Sequence, residues 1–316
     1  MKIIRGVTNV RFEHGCVLTI GNFDGVHRGH QALLQRLARL AEDRQLPSVL
    51  LTFEPHPIEL IAPALAPFRL TRFREKMSVL HTQPIDYVVC MPFDPDVAAM
   101  SAQQFIDEVL CRDLNVQHLL VGDDFHFGHR GAGDFKTLQD AADAGMFAVS
   151  RLDTVVEHAK RVSSTRIRNL IAQGELDEAV SLLGRPVTVC GRVEYGQQLG
   201  RTIGFATANF ALRRIRCALS GVYAVTLHDA LGRELEGVAN VGTRPTVNGT
   251  QSRVEVHVLD FDEDLYGQAF QIQFHHRIRP EQRFDGLDAL KAQIALDVEA
   301  ARAAHARRSQ DDLPDG

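Results

Sequence analysis

Cysteine is scarce in this chain and wrongly spaced for a structural role. The five, at positions 16, 90, 111, 190 and 217, are odd in number, widely scattered and contain no C-x-x-C pair. That excludes a disulfide framework and a cysteine zinc site, and it points to a reducing cytoplasm. Positive charge is also short: 35 Lys and Arg against 40 Asp and Glu leave a net charge of −5 and a pI near 6.3. A nucleic-acid partner would demand a basic face, so none is expected. No apolar run is long enough to span a bilayer, and MKIIRGVTNVRFEHG at the start lacks the apolar core and cleavage site of a leader. A soluble protein without a membrane partner is the expectation, with self-association left open. There is no G-K-[S/T] anywhere, so any ATP chemistry has to proceed without a P-loop. Repeats are absent, and the one low-complexity stretch, SQDDLPDG at 309–316, reads as a flexible tail.

What is present divides into two halves. A length of 316 residues with 45% hydrophobic composition leaves room for two cores at roughly 150 residues per domain. Through residue 183, short β-rich runs alternate with helical patterns. CVLTI (16–20), SVLLTF (48–53), DYVVCM (86–91) and HLLVG (118–122) read as strands, and Leu33, Leu34, Leu37, Leu40 and Ala41 share one face of a helix. EKMSVL (75–80) and SAQQFIDEVL (101–110) read as further helices. Continuous apolar strands separated by helices predict a doubly wound parallel sheet of α/β, Rossmann-like type. Such sheets bind ligands at the carboxyl ends of their strands, where GNFDGVH, TFEPHP and GDDFHFGHRGAGD all fall. From 184 to 308, runs such as VTVCGRVEY, GVYAVTL, LEGVANV, RVEVHVLDF and AFQIQFHHRI recur between turn residues. They predict an antiparallel β-barrel closed by one amphipathic helix over roughly 287–304.

Two stretches in the first half suit a phosphate. In GNFDGVHRGH (21–30), glycines admit close backbone approach, and His27 and His30 stand where a helix begins. Histidines there also serve as ordinary caps. RVSSTRIRNL (161–170) opens a later helix and is, by itself, an N-cap run. Together the two resemble the nucleotidylyltransferase superfamily, whose H-x-G-H and S-S-T-x-x-R motifs grip the triphosphate of ATP. Adenylyl transfer fits these residue types, because the attacking phosphate is already anionic and needs charge stabilisation and alignment more than a base. On that reading Gly21, Asn22, Phe23, His27, His30, Ser164, Thr165 and Arg168 hold ATP. Phe53, Pro55, Pro57, Phe125 and Phe127 form a flat apolar slot for an aromatic tricycle, with Asp123 and Asp124 as polar anchors.

In the second half, GRTIGFATANF (200–210) sets Thr207 and Asn209 two residues apart, beside a glycine-rich loop at 196–204. A hydroxyl and an amide can hold Mg²⁺ and ATP oxygens, with Gly200, Thr202 and Gly204 supplying the loop. In RVEVHVLDF, alternation puts Arg253, Glu255 and His257 on one face, and Glu255 suits a general base toward an attacking hydroxyl. In order, TIGNFDGVHRGH, TFEPHP, VGDDFHFG, SSTRIR, GRTIGFATAN, GVANVGTRPT, VEVHVLDFDEDLYG and RIRPEQRFDGLDALKAQI are similar to the bifunctional bacterial riboflavin kinase/FMN adenylyltransferase family. The resemblance covers nearly the whole chain. It implies riboflavin and ATP giving FMN, then FMN and ATP giving FAD and pyrophosphate, both with Mg²⁺. The family's kinase motif, P-T-A-N with a downstream glutamate, falls on Thr207, Asn209 and Glu255, but Ala206 stands where the family has proline. A pantetheine-phosphate or nicotinamide-nucleotide adenylyltransferase would share the first-half motifs and leave the barrel unexplained. A flavin sensor without activity would not need the reacting residues that are all in place.

Overall fold

The computed structural model describes residues 1–153, 155–157, 160–195, 205–211, 217–246 and 249–311. Two compact units emerge, Met1–Pro67 with Thr71–Ser164, and Phe68–Leu70 with the chain from Thr165 onward. Residues 165–183 cluster with the barrel, where Arg277 donates to the carbonyl of Gln173 at 3.1 Å and lies against Gly174.

The first unit is built on β1 (Lys2–Arg5), β2 (Cys16–Ile20), β3 (Ser48–Glu54), β4 (Tyr87–Pro92), β5 (Val116–Gly122) and β6 (Ala148–Leu152). They form one sheet in the order β1-β4-β3-β2-β5-β6, every pair parallel. The four strands read from the sequence are the four inner ones, buried on both faces and therefore continuously apolar. β1 and β6 escaped that reading because each is an edge strand, largely exposed or half-buried, without an apolar run. Helix α1 (Arg28–Arg44) buries Leu33, Leu34, Leu37, Leu40 and Ala41, the five on its apolar face. α2 (Pro57–Ile61), α3 (Phe73–His81), α4 (Pro95–Ala99), α5 (Ala102–Gln104, running on as a π-helical stretch, Phe105–Asp113) and α6 (Phe135–Asp143) complete the layers, with a small hairpin, β7 (Val156–Glu157) and β8 (Lys160–Arg161). From β2 the chain winds to β3 and β4 on one side, then crosses to β5 and β6 on the other. That reversal opens a crevice at the carboxyl ends of β2 and β5, where 21–27 and 122–128 lie.

In the second unit, α7 (Ser164–Gln173), from Thr165 onward, and α8 (Leu176–Leu183) precede a closed antiparallel barrel. Its strands are β9 (Val187–Glu194), β10 (Ala208–Ala211), β11 (Gly221–His228), β12 (Glu234–Thr246), β13 (Gly249–Val258) and β14 (Ala269–Arg279), in the order β10-β13-β12-β11-β14-β9. Val254, Val256 and Val258 point into the core, and Arg253, Glu255 and His257 alternate to the other face. The closing helix, α9 (Leu287–Asp311), departs from expectation twice. It runs past residue 304 and takes in 309–311, so only 312–316 of the expected tail remain, outside the described residues. Its buried face is also not an apolar stripe: Asp297, Ala301 and His305 are buried at turn spacing, whereas Leu287 and Leu296 are exposed. Arg279 of β14 explains the acid, since its guanidinium meets both Asp297 oxygens at 2.8 and 2.7 Å. Among the described residues no helix is long and apolar enough to cross a membrane.

Candidate functional site

The loop after β2 is held in a conformation that its residues would not choose. Phe23 (φ 49°) and Val26 (φ 41°) are both left-handed, and only Gly25 (φ 83°) between them is there without penalty. Non-glycine residues in that region cost about 1–3 kcal/mol each and persist where neighbours over-determine them. Here the neighbours are identifiable. Asp24, buried, accepts from the backbone N–H and the hydroxyl of Thr71 at 2.9 and 3.2 Å through Oδ1. Gly25 N–H donates to the same Thr71 hydroxyl at 3.0 Å. The buried Lys76 ammonium donates to the carbonyl of Asn22 at 3.0 Å and to the Thr52 hydroxyl at 3.1 Å. Ser164 Oγ donates to the carbonyl of Asp24 at 2.8 Å, which joins the two phosphate motifs of the sequence.

The two histidines have distinct tasks. The sequence suggested that the second begins the helix; in fact His27 is the N-cap, its Nδ1 accepting the backbone N–H of His30 at 3.3 Å. A ring nitrogen that accepts carries no proton, which leaves Nε2 of His27 as the N–H. The imidazoles stack at 3.6 Å and 13°, and Phe23 stacks on His30 at 4.5 Å and 28°. Gly29 leaves room for this column, since a Cβ there would crowd the His27 ring at 3.2 Å. Asn22 Oδ1 is buried and without a hydrogen-bond partner among the described residues. Thr165, exposed, and Arg168, buried with Nε on the carbonyl of Phe68 at 2.8 Å, belong to the second unit.

The expected flavin slot is only partly open. Phe127 is a core residue, bridged to Gly133 by backbone hydrogen bonds of 3.0 and 2.9 Å and packed beside Phe105. Its ring therefore backs Phe125, parallel at 5.6 Å and 15°, and presents no free face of its own. Phe53 sits edge-on to Phe93 at 5.7 Å. Pro55 is exposed, and Pro57 is the first residue of α2, a position that suits its missing N–H and fixed φ. Asp123 and Asp124 are exposed and bound to Arg161 at 3.6 and 2.7 Å.

In the barrel, register decides what meets what. Asn209 of β10 lies directly opposite Glu255 of β13 on one side and Glu194 of β9 on the other. Glu255 in turn faces Asn240 of β12. Directly opposed residues share a face with Cβ atoms about 4.5–5.5 Å apart, so Glu194, Asn209, Glu255 and Asn240 form one polar row. Asn209 is buried, and its Nδ2 donates to the carbonyl of Thr207 at 3.4 Å, which leaves Oδ1 as the acceptor. His257 holds the preceding residue, with Nδ1 donating to the carbonyl of Ala206 at 2.8 Å, and Phe205 lies edge-on to its ring. Gly200, Thr202 and Gly204 lie outside the described residues. The sequence reading missed Lys76, Thr71, Glu194 and Asn240, since each gains meaning only through a partner far along the chain. Among the described residues no group of three or more His, Cys, Asp or Glu is placed to hold a metal.

Comparison with known proteins agrees with this division. The family model for FAD synthetase matches residues 10–166, and that for riboflavin kinase matches residues 183–305. A bifunctional riboflavin kinase/FMN adenylyltransferase of Escherichia coli (strain K12) is 50% identical over 96% of this chain and 97% of its own. The protein of the same name from Pseudomonas fluorescens is 48% identical, over 96% and 97%. A crystal structure titled as a macrolide-efflux protein from Streptococcus pneumoniae superposes with a TM-score of 0.81 at 30% identity, covering 95% of this chain and 98% of that one. With identity of this extent over both halves, the chain belongs to the family of bifunctional riboflavin kinase/FMN adenylyltransferases.

Proposed function

We propose that the two reactions divide between the two units, with riboflavin phosphorylated on the barrel and FMN adenylylated at the crevice of the parallel sheet. The observation that carries the reading is the pairing of Asn209 with Glu255 across β10 and β13, a carboxylate and an oxygen donor on one face without a P-loop. Glu255 takes the proton as the ribityl hydroxyl attacks the γ-phosphorus and ADP leaves. Thr207 and Asn209 hold the nucleotide's phosphate end. Their hydroxyl and amide oxygens are hard, neutral donors that fit Mg²⁺ only when ATP oxygens and water complete its shell. When bound there, the ion neutralises charge on the phosphates.

At the crevice, a phosphate oxygen of FMN attacks the α-phosphorus and pyrophosphate departs, with no proton to remove. His27 and His30 stabilise the charge around that phosphorus, while Gly21, Asn22 and Ser164 orient the polyphosphate. Phe53, Pro55 and Phe125 support the flavin ring, with Phe127 behind Phe125 and Asp124 at the rim. Five scattered cysteines with no C-x-x-C pair and a net charge of −5 support a cytoplasmic enzyme of small molecules with no nucleic-acid partner. Purified protein given riboflavin, ATP and Mg²⁺ should yield FMN and then FAD on separation of the flavins, and FAD alone from FMN. No FMN from riboflavin would refute the barrel assignment, and no FAD from supplied FMN would refute the crevice assignment.

A further inference from the structure

Lys76 has no part in the motifs above, yet the residue is only 5% exposed and its ammonium reaches the strained loop. A cation is a costly occupant of a core, and its contacts show where the cost is offset. Nζ donates to the carbonyl of Asn22 at 3.0 Å and to Thr52 Oγ1 at 3.1 Å, and Thr52 Oγ1 lies 3.4 Å from the same carbonyl. One turn earlier, Thr71 holds Asp24 and Gly25. The segment 71–76 thus grips the loop on both sides of Phe23, the residue whose left-handed backbone sets its ring on His30. A trans peptide is planar with its C=O and N–H opposed. Drawing the Asn22 carbonyl down to Lys76 therefore turns the Phe23 N–H the opposite way, and that N–H makes no hydrogen bond among the described residues.

We infer that Lys76 is a positioning residue of adenylyl transfer: it fixes the Asn22–Phe23 peptide so that the Phe23 N–H donates to the polyphosphate of ATP beside His30. The inference rests on the crevice being the adenylylation site. Lys76→Met removes the charge and the hydrogen bonds to Asn22 and Thr52, and Lys76→Gln restores a neutral donor group. With FMN as the starting flavin, kcat for FAD formation falls about 10²-fold in Lys76→Met, as expected when one aligned donor is lost. Lys76→Gln lies between that variant and wild type, KM for FMN stays within about threefold, and riboflavin phosphorylation is unchanged. The spectroscopic signature is the amide resonance of ¹⁵N-labelled Phe23, which shifts on adding α,β-methylene-ATP to wild type and not to Lys76→Met. Should Lys76→Met fail to fold, with an altered thermal transition, Lys76→Gln carries both measurements. Either variant, folded, with wild-type kcat or the wild-type amide shift overturns the inference. Wild type that makes no FAD from FMN refutes the underlying crevice reading instead, so the two failures are told apart.

Discussion

Replacing Glu255 by glutamine should separate the two chemistries, because it changes a base without changing a fold. The side chain is half-buried on the outer face of β13 and makes no ion pair or hydrogen bond among the described residues. The substitution keeps its size, so barrel stability should move by no more than about 0.5 kcal/mol. The barrier to phosphorylation should rise far more. A general base contributes about 10²–10⁴ in rate, which at about 1.36 kcal/mol per decade is about 2.7–5.4 kcal/mol. FAD formation from FMN should be untouched, since the loop with His27 and His30 folds with residues of the first unit. His30→Ala is the mirror experiment. It removes a donor and the middle ring of the Phe23–His30–His27 column, and one such donor is worth about 10²–10³ in rate, so FMN should accumulate. Each variant is assayed by flavin separation starting from riboflavin and, separately, from FMN, with thermal unfolding in parallel. A folded Glu255→Gln variant that loses both reactions, or that makes FMN within threefold of wild type, would refute the reasoning.

Four further outcomes are expected. Ala206→Pro should keep kinase activity and raise stability by about 0.4–1 kcal/mol, since Ala206 engages His257 through its carbonyl, which proline retains; a lower melting temperature would argue otherwise. Gly29→Ala should favour α1 by helix propensity yet push the His27 ring away from a Cβ 3.2 Å distant, so FAD formation should fall while the melting temperature holds or rises. Asp297→Ala should cost about 3 kcal/mol, measured by denaturant unfolding, because it strands the Arg279 guanidinium against the barrel. Burial first, then neighbouring arginines, depresses His118 and His275 from 6.5 to about 4. Between those values the unfolded chain binds protons that the folded chain refuses. Stability contributed by the two histidines is therefore full above pH 6.5 and lost as pH falls toward about 4, with a slope of at most about 1.4 kcal/mol per pH unit for each. A melting temperature that is flat from pH 6.5 to 4.5 would contradict both assignments.

The sequence by itself determined the layers of this protein. β2 to β5 are legible because a strand buried on both faces must be apolar throughout, and α1 because its five buried residues recur at the helical period. Alternation makes β13 legible, as buried valines against Arg253, Glu255 and His257, whereas β11, buried along nearly its whole length, is legible as an apolar run. Local pattern reports burial and period, and nothing more. β1 and β6 were silent because edges need no apolar run, and β10 because four residues are too few to show a period. α9 misled because its buried acid is neutralised by an arginine on a strand that the helical pattern does not contain. The site divides in the same way. His27, His30, Asn209 and Glu255 stand in motifs whose spacing within one segment carries the signal. Only the tertiary structure set Asn209 opposite Glu255, put Phe127 in the core, and brought Lys76 and Thr71 beneath the loop. Those contacts join segments far apart in the chain. The free energy of the whole packed core decides their register, and no window of sequence contains it.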